Sequence, residues 1–275
     1  MLPRHSLPTL FATALLALLA ACADLTAVRT FADQAAAVAE GTPLLDEYTA
    51  TLERRCRWQQ DDTDLQKELK ARRTQLATLH AVEAAVANYL VTIGQLAADG
   101  AVDFTPEFTA LAGKATEGGL LDADAAKAAG SIGAILTRWV TDGYRQAELG
   151  RLVKEADGPL QQVIAGLVTS CAAIQLSLDN EADEIGSRYR GLQSATANAA
   201  NLLAGEKRVE LLADLARKQA GLRQHAVALA KVAEGHAHLA AHIDELGTKQ
   251  LLARMKGLAH DVNRLRAAVR SLEGR

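Results

Sequence analysis

The chain has 275 residues, 49% of them hydrophobic but only 4% aromatic, with 30 Lys+Arg against 33 Asp+Glu and a net charge of −3. A nucleic-acid groove needs a basic face interleaved with aromatic stacking platforms; the interspersed charges and scarce aromatics argue against that class of partner. Ala and Leu dominate and Pro is confined to five positions, a composition that favours long packed helices over sheet.

In chain order, the first segment is a processing signal. Arg4 and His5 give a short basic start, Leu10 to Ala21 an apolar run, and small residues precede Cys22. The run is shorter than the roughly 20 residues a membrane span needs, and its layout is that of a cleaved leader. Its end, Leu19-Ala20-Ala21-Cys22, resembles the lipobox of bacterial lipoproteins, a likeness limited to the first two dozen residues. The resemblance implies removal of residues 1–21, a diacylglycerol on the Cys22 thiol, and a lipid-anchored domain over 22–275. It also implies the outer membrane rather than the inner, because Ala23 stands where an inner-membrane member carries Asp. Each buried acyl CH₂ contributes about 0.8 kcal/mol, so two or three chains anchor stably. Loss of Arg4 with the leader takes Lys+Arg from 30 to 29 against 33 acidic residues, a net of −4.

The remainder reads as helices joined by short connections. A first helix is expected over Asp24 to Glu40, and Gly41-Thr42-Pro43 gives a stop, an N-cap and a first-turn proline opening a segment to Trp58. Asp61-Asp62-Thr63-Asp64 caps a long helix to Ala98, ended by Asp99-Gly100. Thr105-Pro106-Glu107 begins a short helix closed by Gly118-Gly119. Asp122 or Asp124 caps another, expected to stop at Gly158, and Pro159 starts the next, which runs towards Leu203 with a kink or turn at Gly205-Glu206. Leu215, Leu222 and Leu229 repeat every seven residues, and Leu258, Val262, Leu265, Val269 and Leu272 alternate four and three, the seam of coiled-coil-like packing. The register change at Gly247-Thr248 separates two antiparallel helices. The expected fold is all-α, an elongated up-and-down bundle of long antiparallel helices.

Four features bear on chemistry. Cys56 and Cys171 remain after processing; in an oxidising compartment a bridge closing so long a loop would add several kcal/mol, provided the Cα atoms lie within about 7 Å, the alternative being two small buried hydrophobes. His236, His238 and His242 lie near Glu234 and Glu245; His238 and His242 are four apart and share a helix face, so with the two glutamates they form a candidate metal set. Yet Val232, Leu239, Ile243 and Leu246 make the core stripe, which puts those histidines on a solvated flank. Gly158 to Leu178 carries no charge, and Ala84 to Ala98 is a second such stretch; a central helix buried on most sides competes with a concealed membrane-inserting element like that of helical pore-forming toxins. Trp58, Trp139, Tyr89 and Tyr144 suit helix crossings.

No nucleophile elbow, phosphate loop or desolvated acid pair is present in the sequence, so no catalytic residue and no cofactor is assigned. The reading is a non-enzymatic envelope lipoprotein, a helical scaffold or protein-binding module in the periplasm or at the cell surface. A membrane-active protein and a metal-binding periplasmic module are its rivals.

Overall fold

A computed structural model describes residues 25–59, 62–98, 120–142, 148–195 and 198–273. The leader with Cys22, the stop at Asp99-Gly100 and the expected short helix from Thr105 to Gly119 lie outside the described residues. Seven α-helices lie among the described residues: α1 (Thr26–Ala39), α2 (Glu47–Trp58), α3 (Thr63–Ala97), α4 (Ala123–Asp142), α5 (Leu149–Ala195), α6 (Asn198–Ala241) and α7 (Lys249–Leu272). Single 3₁₀ turns at Pro43–Asp46 and Ile243–Glu245 connect α1 to α2 and α6 to α7. The fold is an all-α helical bundle.

The helix ends follow from local chemistry. Gly41 takes a φ of 87°, which closes α1. Thr42 Oγ1 then accepts from the Leu44 N–H at 3.3 Å. Asp62 Oδ1 accepts from the N–H groups of Asp64 and Leu65, each at 3.0 Å, and starts α3. Asp122 caps α4 through the Ala125 N–H at 2.7 Å. Gly247, at φ 91°, reverses the chain before Thr248 caps α7 by accepting from Leu251 N–H.

Two expected boundaries move. The helix expected to run from Asp122 or Asp124 to Gly158 ends instead at Asp142, and α5 begins at Leu149 and continues straight through Gly158 and Pro159. An internal proline costs about 3 kcal/mol. Here Leu152, Val153 and Ala156 before it and Leu160, Val163 and Ile164 after it enter the same core, so burial on both sides outweighs that cost. Likewise Gly205-Glu206 makes no turn, because both residues lie inside α6.

α5 and α6 form a hairpin of 47 and 44 residues, roughly 65 to 70 Å long at 1.5 Å per residue. The Gln161 side-chain amide donates to Ala233 O at 2.9 Å, and that of Gln219 to Asp179 Oδ1 at 2.6 Å, pairs whose midpoints fall at residues 197 and 199. α1, α2, α5 and α7 run towards the tip of this hairpin, while α3, α4 and α6 run back.

Below the level at which Leu44 packs on Gly221, α1, α4, α7 and the adjoining halves of α3, α5 and α6 enclose the main core. Phe31, Tyr89, Leu90, Ile132, Leu222, Val232, Leu258 and Val262 are all buried there, as the seven-residue repeat of α6 and the seam of α7 require. Gly235 lets the two backbones close: a Cβ there would lie 2.3 Å from the Phe31 ring. Among the described residues, two hairpins continue above that waist, α2–α3 beside α5–α6. Leu52, Cys56, Leu65 and Leu69 form a separate small core inside the first.

The uncharged stretch of α5 is not buried on most sides. Leu160, Val163, Ile164, Leu167, Cys171, Ile174 and Leu178 face the core, whereas Gln162, Ala165, Thr169, Ala172 and Leu176 are exposed. Small neutral side chains give the outer face no charge without giving it a partner. Of the two readings of the cysteines, the bridge is not formed: Cys56 and Cys171 are both free thiols, held in different cores, one between α2 and α3 and the other on α5. Burial pushes the Cys171 thiol up to about 12.

Candidate functional site

An open cleft lies between the two hairpins. Tyr48 donates its hydroxyl to Gln75 Oε1 at 2.6 Å, and Arg72 donates to Tyr48 O at 3.0 Å while its guanidinium sits 4.8 Å over the Tyr48 ring. These contacts hold α2 on α3. Arg54 then spans to the second hairpin, gripping both oxygens of Glu181 at 2.6 Å and reaching Glu47 at 2.7 Å. Lys218 closes the lattice on Glu47 at 2.8 Å. Burial disfavours the Arg54 cation, but its hydrogen bonds to Glu181 and Glu47 more than offset that and raise its pKa.

On this floor stands a cleft of about 920 Å³. Leu52 of α2, Ile185 and Leu192 of α5, and Leu211 of α6 make its walls largely apolar. Six cations line it, Arg54, Arg55, Arg57, Arg72, Arg188 and Lys207, against two acids, Glu181 and Glu184. An acidic chain thus carries a cationic pocket. Most of these cations are engaged: Arg72 with Glu68 at 2.7 Å, Lys207 with Glu210 at 2.9 Å, Arg55 with Glu184 at 3.8 Å. Arg57 is exposed and forms no ion pair among the described residues.

Two buried polar clusters sit lower. His236, wholly buried on α6, uses both ring nitrogens: Nδ1 meets Asp157 Oδ1 on α5 at 2.8 Å, and Nε2 meets the Tyr89 hydroxyl on α3 at 2.7 Å. With Asp157 ionised, Nδ1–H donates to it and Tyr89 O–H donates to Nε2. The hydrogen bond to His236 holds the Asp157 carboxyl below its usual range, and burial raises the Tyr89 phenol well above its own. The order resembles a relay, but phenol and imidazole are both sealed in the core, so its effect is to lock three helices in register.

At the waist, Glu83 of α3 is buried, and Gly41 packs so closely that a Cβ there would lie 2.5 Å from its carboxylate. His80 bonds Glu83 Oε2 through Nδ1 and Asp46 Oδ1 through Nε2, both at 3.0 Å. The hydrogen bond to Glu83, working against partial burial and joined by that to Asp46, pushes His80 up to about 9. His225 Nε2 lies 4.0 Å from Glu83 Oε1 and has no hydrogen-bond partner, and burial pushes this imidazole down to about 4.

The candidate metal set is not assembled. His238 and His242 do stack, with ring centroids 4.3 Å apart. However, His242 Nδ1 faces His238 O at 2.9 Å, and Glu234 is held by Lys231 and by Arg254 at 3.0 Å. Among the described residues no three His, Cys, Asp or Glu side chains are grouped to hold a metal ion, and with that goes the four-residue site on His238, His242, Glu234 and Glu245. His236 has turned inward to Tyr89 and Asp157, which lie 147 and 79 residues away in the chain. Trp139 is buried with the Arg151 guanidinium 5.4 Å from its ring. Sequence reasoning missed the cleft altogether; the run Arg54-Arg55-Cys56-Arg57 was its one local sign. Compared with known protein families, with curated proteins and with solved structures, the chain has no match, and its reading rests on its own residues.

Proposed function

We propose that the chain is a non-enzymatic, lipid-anchored protein of the bacterial envelope, in the outer membrane, whose helical bundle is a scaffold presenting one pole to a protein partner. The observation that carries this is the bundle's polarity. Phe31 packs on Gly235 and Leu44 on Gly221, so α1 begins beside the C-terminal end of α6. Leu202, Leu203 and Val209, exposed at 72%, 68% and 63%, sit about 50 to 60 Å away by helix rise. Cys22 lies three residues before Leu25. An acylated Cys22 would therefore hold one end at the bilayer and leave the apolar tip at the other end. Exposed leucines grouped on a tip are the usual mark of a contact surface.

The test is a photo-crosslinking residue placed at Leu203, and separately at Gln250 on the opposite pole, in growing cells. A discrete adduct from position 203 but not 250, together with release of the Cys22→Ala variant from the membrane fraction, supports the reading. Identical patterns from both positions, or membrane retention without the thiol, overturn it. A second reading, membrane insertion, is favoured by one observation: α3 and α5 are both long and apolar enough to span a bilayer. Each lends one face to the core, so insertion would require the bundle to open. Dye release from liposomes by the Cys22→Ala chain would replace the scaffold with that reading.

A further inference from the structure

We infer that the cleft between the α2–α3 and α5–α6 hairpins is a binding site for a single-chain anionic amphiphile, an acyl chain ending in a carboxylate. The inference stands on the cleft alone and needs neither the lipid anchor nor the protein partner. Three properties select the ligand. The first is size: about 920 Å³ lies at the upper end of ordinary ligand pockets, far more than an inorganic anion fills. The second is the wall chemistry. Ile185 and Leu192 of α5 and Leu211 of α6 face a common space, Leu192 at 49% exposure; a ligand that was only charged would leave them wet, whereas an acyl chain buries them at about 25 cal/mol per Å².

The third is charge. Six cations and two acids line the cleft, and Glu47, Glu68 and Glu210 pair Arg54, Arg72 and Lys207 from beside it, which leaves one cation in excess; a neutral lipid would leave that cation unused and a cationic one would be repelled. The cations differ in what they can offer. Arg54 is committed to Glu181 and Glu47, and forms the floor rather than a free ligand. Arg57, exposed at the C-terminal end of α2 and unpaired among the described residues, is placed to take the carboxylate. A guanidinium matches a carboxylate with two parallel hydrogen bonds. Lys207 stands on the opposite hairpin, where its Nζ now holds Glu210. The chain would lie between the hairpins, head outwards.

The experiment uses the full chain carrying Cys22→Ala, so that no detergent competes, with fluorescent cis-parinarate as reporter. Palmitate should displace it at a stoichiometry of one. Monopalmitoylglycerol, with the same chain and no charge, and acetate, with the charge and no chain, should each be at least roughly tenfold weaker, the scale of one charge-assisted contact or more. Arg57→Gln should weaken palmitate by about the same factor and flatten its salt dependence. Leu211→Gln should weaken both lipids, and helix content by circular dichroism verifies that each variant is folded. Leu202→Ser/Leu203→Ser at the tip should bind as the parent does. Equal binding of palmitate and its glycerol ester, an unchanged Arg57→Gln, or loss of binding in the tip variant instead of the cleft variants overturns the inference. So does displacement of the reporter by an acidic amphipathic peptide but not by palmitate.

Discussion

The two halves of the molecule are built from the same helices to opposite ends. Below the waist, α3, α5 and α6 are enclosed by α1, α4 and α7, and nearly every fully buried side chain lies there, Phe31, Tyr89, Ile132 and Leu149 among them. Above it the same three helices, joined by α2, carry one small separate core and six lining cations around an open cleft. Of residues 187–192 and 199–214, none is buried. The lower half has exhausted its surface in specifying the fold; the upper half has kept apolar and cationic surface unspent, which is what a binding end requires.

The sharpest way to test that division is to remove volume from each half. Phe31→Ala in the lower core should destabilise by about 4 kcal/mol, read as a shift in the urea midpoint. Leu69→Ala in the small upper core should lose less, because fewer neighbours surround it and that hairpin can relax. If both cost the same, the upper half is as tightly specified as the lower. Next in size is Gly235→Ala. The added methyl would meet the Phe31 ring at 2.3 Å, and overpacking of this kind costs about 2 kcal/mol. Phe31→Leu in the same chain should restore part of the loss, a coupling that a double-mutant cycle measures.

The waist predicts a pH signature. His80 is raised to about 9 in the folded chain from an ordinary value of 6.5, so its stabilisation is complete below pH 6.5 and is lost as pH rises through 9. His225 is depressed to about 4; it stabilises the fold above pH 6.5 and that contribution is lost as pH falls through 4. Thermal unfolding followed from about pH 3.5 to 9.5 should show an alkaline decline that His80→Gln removes and an acid decline that His225→Phe flattens. His80 is partly solvated, so the alkaline effect is expected to be the modest one. Interchanged limbs would mean that Glu83 is paired with the wrong histidine.

Much of both halves was legible in the chain because helix caps and seams are local signals. Asp62, Asp122 and Thr248 cap as their spacing demands, and the seven-residue repeat at Leu215, Leu222 and Leu229 is buried throughout. What misled was also local. Gly158-Pro159 is strong punctuation, but burial on both sides of it overrode the punctuation; Gly205 likewise lies inside a helix held by its neighbour. Neutral composition at 158–178 suggested burial, yet Ala and Thr tolerate either environment. Non-local features carried no signal. His236 was grouped with His238 and His242 by proximity in sequence, although its partners are Tyr89 and Asp157 on other helices, and the cleft unites residues 51–57 with residues 177–211.

The smallest expected effect is also the most informative about the comparison. Leu202→Ser together with Leu203→Ser removes two leucines exposed at 72% and 68%, which contribute almost nothing to the folded core, and surface changes of this kind stay within about 0.5 kcal/mol. The melting temperature should therefore not move beyond a degree or two. If the tip is a contact surface, the same variant should lose the adduct that a crosslinker at neighbouring Val209 makes in cells, since the partner would have to bury two hydroxyls in place of two isobutyl groups. Stability without contact would separate the two halves by function as cleanly as they are separated by packing. A measurable loss of stability would instead mean that the tip is covered in the free protein, and that its leucines belong to the fold.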